Sequence, residues 1–199
     1  MIPMNHNLEN VVFLNKANVN TYSSFLNNSP SEPFSDDIID YLSALSKELN
    51  NDPRIKEHSD IVTFSFYCRK VNLLKLKNDF YNGKQIKLGR GVLFHVAPSN
   101  VPINFAFSLV MGLLSGNSNI IKVPSANFDQ VNIIIDSINS LGENSNYKAV
   151  AKKIILVKYD REDIATKQFS LDCDIRVVWG GDETIRKIRK NDLKPRAYD

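Results

Sequence analysis

The chain has 199 residues, 43% of them apolar and 24% charged, with 8 glycines and 8 prolines, a balance that excludes a disordered, collagen-like or low-complexity protein. A chain of this length buries about 70% of the surface its unfolded form exposes, enough for a core without a disulfide or structural metal. With 25 Lys and Arg against 22 Asp and Glu the net charge is only +3, small for a protein built to hold nucleic acid.

Cys68 and Cys173 lie far apart, with no CxxC pair and no histidine at metal-ligand spacing, so neither a disulfide framework nor a metal site is expected. The amino terminus, MIPMNHNLENVVFLNK, lacks a basic segment followed by an unbroken apolar run. Nowhere does the chain show the ~18 consecutive apolar residues of a bilayer span. A cytoplasmic protein without membrane or nucleic-acid partners is the expectation. The basic run Arg186, Lys187, Arg189, Lys190 reads as a solvated helix face.

Residues 1–34 are rich in Asn and Ser and hold no sustained period, which reads as a loosely packed N-terminal arm. Ser35 before Asp36 and Asp37 gives a helix start, and Ile38, Ile39, Leu42, Leu45 and Leu49 form its apolar stripe. A second helix from about Pro53 carries Ile61, Phe64, Tyr67, Val71 and Leu74 at spacings of three and four. Together they form a helical hairpin over residues 35–82.

After Gly83 strand-length apolar runs alternate with helical segments, the pattern of an open, mostly parallel α/β sheet with crossover helices over residues 83–199. Strands are expected at Gly91 to Ala97, Asn119 to Val123, Ile154 to Val157 and Ile175 to Trp179. The helices between them include one from Ile103 to Leu114, closed by Gly116, and one ending at Gly142. Parallel strands bring their carboxyl ends to one edge, where open α/β folds bind ligands. Three turns follow those ends: Pro98 to Pro102, Lys122 to Asn127, and Gly180 to Glu183. None matches the GxGxxG or GxxxxGK[ST] phosphate loops. Gly180-Gly181 before a helix suits either a close anion or a simple tight turn.

The strings APSNVP, LLSGNSNIIKVPS and VVWGGDETIRKIR, in that order and spacing, resemble the acyl-CoA reductases of the bacterial luminescence (LuxC) type, a branch of the aldehyde dehydrogenase superfamily. The resemblance spans about residues 85 to 196. It implies an aldehyde-dehydrogenase-like nucleotide-binding domain and a nicotinamide cofactor. Pro98-Ser99-Asn100 resembles the Pro-Trp-Asn turn whose asparagine amide donates to the developing oxyanion, so the resemblance gives Asn100 that role; the structural alternative is an Asn bridging its own turn. Lys122 resembles the lysine that contacts the adenosine ribose or its phosphate, with an ion pair as the alternative.

Pro124 and Ser125 continue that segment, but Val123 is inserted and Ser125 or Ala126 replaces the usual ribose-binding glutamate. Losing that acid relieves repulsion of a 2′-phosphate and favours NADPH, with NADH the alternative. Gly181 and Asp182 resemble the Gly-Ser pair facing the cofactor pyrophosphate, with Asp182 expected to cap its helix. Trp179 is expected to pack in the core or against the adenine, and His95 to be a satisfied structural histidine.

The family's nucleophilic cysteine and its acid/base glutamate would fall after Asp199, and neither Cys68 nor Cys173 matches the motif. Both read as packing residues. The expectation is the N-terminal part of an NADPH-dependent fatty acyl-CoA reductase, apparently truncated where another strand would follow. Such a part would self-associate or pair with a C-terminal half. The alternatives are a catalytically silent nucleotide-binding module, a subunit of a larger reductase, or a superfamily relative acting on an acyl phosphate.

Overall fold

Continuous apolar runs, rather than alternating ones, mark strands buried on both faces, and a computed structural model describing residues 6–81, 86–160 and 164–199 shows a sheet built from them. In chain order the elements are β1 (Val12–Phe13), α1 (Val19–Leu26), α2 (Asp36–Asn51), α3 (Ser59–Tyr67), α4 (Lys70–Phe80) and β2 (Val92–Val96). They continue with α5 (Asn104–Leu114), β3 (Ser118–Lys122), α6 (Asp129–Glu143), α7 (Lys148–Ala151), β4 (Ile154–Lys158), α8 (Ala165–Asp172), β5 (Ile175–Val178) and α9 (Asp182–Arg189). The strands lie in the order β1-β4-β3-β2-β5. All pairings are parallel except β1 with β4. The mixed α/β fold with a mostly parallel sheet is the one expected.

Register levels the carboxyl ends. Val96 stands opposite both Lys122 and Val178, and Lys122 opposite Val157. One sheet face, with Ile121 and Leu156, packs on α2, α5 and α6. The other, with Phe94, Val96, Ile120 and Val157, packs on Tyr22 and Phe25 of α1 and Phe169 of α8. Each fully buried Leu or Ile contributes about 1.5–3 kcal/mol, so both layers are needed to hold the sheet. Gly116 closes α5 at φ 82°, where a Cβ would stand 2.1 Å from the Ser31 carbonyl oxygen, so only glycine fits that turn.

Two local expectations are corrected. The segment read as a loosely packed arm contains a strand and a helix. Asn18 and Thr21 form a reciprocal capping box for α1, and the Tyr22 hydroxyl donates to Asp172 at 2.7 Å. Elements of two and eight residues are too short to set a period. The second helix is also not continuous: residues 53–57 form a 3-10 turn, and α3 and α4 are separated at Cys68 and Arg69. The break preserves a helical spacing across it but turns the stripe, so Leu73 is buried while Val71 is 70% exposed. The expected boundary at residues 82–83 lies outside the described residues.

Candidate functional site

From β2 the chain builds the sheet outward through β3 to β4, then returns to place β5 on the other side of β2. The strand order therefore reverses between β2 and β5, the position at which open α/β sheets form a ligand crevice beyond their carboxyl ends. The turn from Pro98 to Asn100 leaves β2 there, and Trp179, Gly180 and Gly181 leave β5. The Trp179 N–H donates to the Val96 carbonyl at 3.0 Å, tying the two ends together.

Ser99 and Asn100 are exposed. Among the described residues the Asn100 amide has no hydrogen-bond partner, so it does not bridge its own turn. Gly180 and Gly181 are also exposed, and nothing lies within 4 Å of where a Gly181 Cβ would stand. Gly181, not Asp182, is the N-cap of α9, and no side chain caps that end. The capping expected of Asp182 is thus corrected: it is the first helical residue, and its carboxylate lies 4.0 Å from Arg186 one turn on. The leading N–H groups of α9 have no partner within the helix, and this end follows directly from the carboxyl end of β5, an arrangement that suits an anion.

Lys122 is set apart from this group. It shares its sheet face with Val96 and Ile120, and its ammonium lies 4.0 Å from the centre of the Tyr159 ring, which satisfies part of the charge that a strand end would otherwise strand. Pro124 is buried and lines a cavity of about 50 Å³ with Val123 and Phe128, while Ser125 is exposed. A larger cleft of about 660 Å³, unanticipated from the sequence, lies at the opposite edge beside the start of β4, lined among others by Lys16, Phe25, Lys148 and Lys152.

Trp179 is 45% exposed rather than buried in the core, because β5 borders the sheet and leaves its end uncovered. Its indole N–H donates to Ser108 Oγ at 3.0 Å. Ser108 in turn lies 2.7 Å from His95 Nδ1, and His95 Nε2 lies 3.0 Å from Asn119 Oδ1. The structural reading of His95 holds, with burial pushing its pKa down to about 4 against the opposing Asn119 hydrogen bond. Ser108 and Asn119 were missed from the sequence. The available signal was Ser108 inside the otherwise apolar segment FAFSLVMGLL and Asn119 at the start of the strand NIIKV.

Both cysteines are fully buried, and burial pushes each thiol up to about 12. Neither is a nucleophile in this fold. The helix bearing Arg186, Lys187, Arg189 and Lys190 buries no residue, as expected of a solvated face. Among the described residues no group of three or more His, Cys, Asp or Glu could hold a metal, and no helix is long and apolar enough to cross a membrane.

The reversed strand order, the open glycine turn and the uncapped helix make an open α/β fold with its crevice at the carboxyl edge of the sheet, and comparison with solved structures shows that the fold is aldehyde-dehydrogenase-like. Two solved structures share it. A lactaldehyde dehydrogenase is 16% identical, with 88% of this chain and 40% of that one covered and a TM-score of 0.60. A proline utilization A (PutA) variant of Bradyrhizobium japonicum is 16% identical, with 90% and 20% covered and a TM-score of 0.60. Residues 72–199 match the acyl-CoA reductase (LuxC) family, and the chain belongs to that family. A long-chain acyl-protein thioester reductase of Aliivibrio fischeri is 26% identical over 98 residues, which are 49% of this chain. The match spans 20% of that relative's length.

Proposed function

We propose that this chain is the N-terminal, nucleotide-binding part of an NADPH-dependent reductase that converts a fatty acyl-CoA to the aldehyde in the cytoplasm. What supports the reading is that the turn bearing the unpartnered Asn100 amide and the uncapped amino end of α9 follow the paired ends of β2 and β5, where the strand order reverses. The residues fit a dinucleotide: Gly180 and Gly181 let its pyrophosphate approach the α9 N–H groups, and Pro98, Ser99, Pro124 and Ser125 line its path along the edge.

Asp182 flanks the anion site without facing it, since its carboxylate turns along the helix toward Arg186. Lys122 supplies positive charge toward the ribose from the neighbouring strand end. The exposed Ser125 and Ala126 put no carboxylate beside a 2′-phosphate, which supports NADPH over NADH. When bound, the nicotinamide would supply the hydride for the net reaction acyl-CoA + NADPH + H⁺ giving aldehyde, NADP⁺ and CoA.

Asn100 does the chemistry that this chain contributes: its amide donates to the oxygen on which charge builds as the acyl carbon becomes tetrahedral, an effect worth about 3 kcal/mol once bound substrate excludes water from the now exposed side chain. The acyl-bearing cysteine is neither Cys68 nor Cys173, whose burial excludes both. In this reading the nucleotide-binding unit, to whose sheet β1 adds a strand and on whose faces α1 and α2 pack, associates with a second copy or a C-terminal half. The burial of both thiols equally favours a second reading, a catalytically silent nucleotide-binding module.

Calorimetric titration with NADPH and NADH tests the common core of both readings. The expected result is binding of NADPH at least tenfold tighter than NADH, with Lys122→Ala weakening NADPH. Absence of binding by either nucleotide sinks both readings. Aldehyde formed from acyl-CoA when a cysteine-bearing C-terminal half of the family is added excludes the silent module.

A further inference from the structure

Trp179 is the sole tryptophan of the chain, and a file of buried polar side chains holds it. An indole N–H only donates, so Ser108 Oγ accepts from it and Ser108's single proton is left for His95 Nδ1. The Asn119 amide nitrogen donates to the Asn117 carbonyl at 2.9 Å, which turns Oδ1 toward His95 as an acceptor and puts the imidazole proton on Nε2. Every bond therefore runs in one direction, from the crevice inward. Ser108, His95 and Asn119 are at most 4% exposed, so these polar groups take up core volume that apolar residues would otherwise fill. Gly112 makes room for them: a Cβ there would stand 1.8 Å from Asn119 Oδ1 and 3.2 Å from His95 Nε2.

A tryptophan that only needed a partner for its N–H would find water at this exposure. Here the N–H edge of the ring is bonded inward, across from the end of β5 to α5, while the residue stays 45% exposed beyond the carboxyl end of β5. That leaves a rigid surface suited to a planar heterocycle and lacking any free hydrogen-bonding group of its own.

We propose that Trp179 is a stacking platform for a planar ring of the bound dinucleotide, nicotinamide or adenine, and that Ser108 and His95 are positioning residues that set its orientation. The proposal rests on the nucleotide-binding reading above, and its test separates the two.

The full chain is titrated with NADP⁺ and with 2′-phospho-ADP-ribose, which lacks only the nicotinamide, following Trp179 emission and, independently, heat. The expected result is saturable quenching of the emission with the same midpoint as the calorimetric curve. Quenching by NADP⁺ alone assigns the nicotinamide, and quenching by both assigns the adenine. Ser108→Ala should weaken binding roughly tenfold and shrink the quench, while Ser108→Thr, which keeps the hydroxyl, restores both. Trp179→Phe, read by heat, should lose about as much as Ser108→Ala, and the double variant no more than either single one. Calorimetric binding with unchanged emission, or a folded Ser108→Ala with unaltered affinity, overturns the stacking platform and leaves the nucleotide site standing. No heat of binding with either ligand overturns the nucleotide site itself.

Discussion

Nε2 of His95 lies 3.0 Å from Oδ1 of Asn119 beneath α5, and both side chains are at most 2% exposed. A charged imidazole there would face no carboxylate. Its folded pKa of about 4 stands below the ordinary 6.5, so between those values the unfolded chain takes up a proton that the folded chain refuses. Stability contributed by neutral His95 is therefore fully present above about pH 6.5 and falls as pH drops to 4, by about 3 kcal/mol in all. Urea unfolding of wild type and His95→Gln across that range checks this. The wild type should show the steeper acid loss; parallel curves refute the assignment.

Gly112 sits in the interior of α5, where exchanging glycine for alanine ordinarily gains about 1 kcal/mol of helix propensity. Here the sign reverses, because the new methyl would overlap the buried Asn119 amide. Gly112→Ala is expected to lower the denaturation midpoint, with an overpacking cost of about 1–3 kcal/mol outweighing the gain. A stabilised variant would show that the amide moves freely.

Arg176 of β5 is 2% exposed and is gripped by both oxygens of Asp199 at 2.8 and 2.7 Å, with Ser170 Oγ and the Asn191 carbonyl as further acceptors. The guanidinium holds the Asp199 carboxyl below the usual carboxylate range. Asp199→Ala leaves a buried cation uncompensated and should cost about 3–5 kcal/mol. The exposed Arg189 contact to the same carboxylate contributes little, so Arg189→Ala should change the urea midpoint by a small fraction of that. Equal losses for the two would contradict this division.

With both thiols pushed up to about 12, roughly one in ten thousand is thiolate at pH 8. Cys68 and Cys173 should therefore resist a disulfide reagent in the folded chain and react together on unfolding. Rapid labelling of either in the native state would restore it as a candidate nucleophile.

Much of the candidate site's placement at the strand ends was legible because its parts are local. Turn residues such as Pro98-Ser99-Asn100 and Gly180-Gly181 follow apolar runs whose length alone marks them as strands, and Gly116 closes α5 for a reason carried in its own backbone. What failed depended on partners. Trp179 reads as a core residue because it follows an apolar strand, yet whether that strand is flanked or borders the sheet is a property of strand order. The stripe through Val71 and Leu74 kept its spacing across the break at Cys68 and Arg69, and only the packed helices show that Leu73 faces inward.

Periodicity and turn chemistry by themselves determined the alternation of helices and strands and the parallel sheet, since each depends on interactions within a few residues along the chain, while the family was legible only through the resemblance of the strings APSNVP, LLSGNSNIIKVPS and VVWGGDETIRKIR. Tertiary structure alone decided that β5 crosses to the far side of β2. Interstrand hydrogen bonding fixes that order, and it joins Trp179 to Ser108 and sets the glycine turn beside the Asn100 turn.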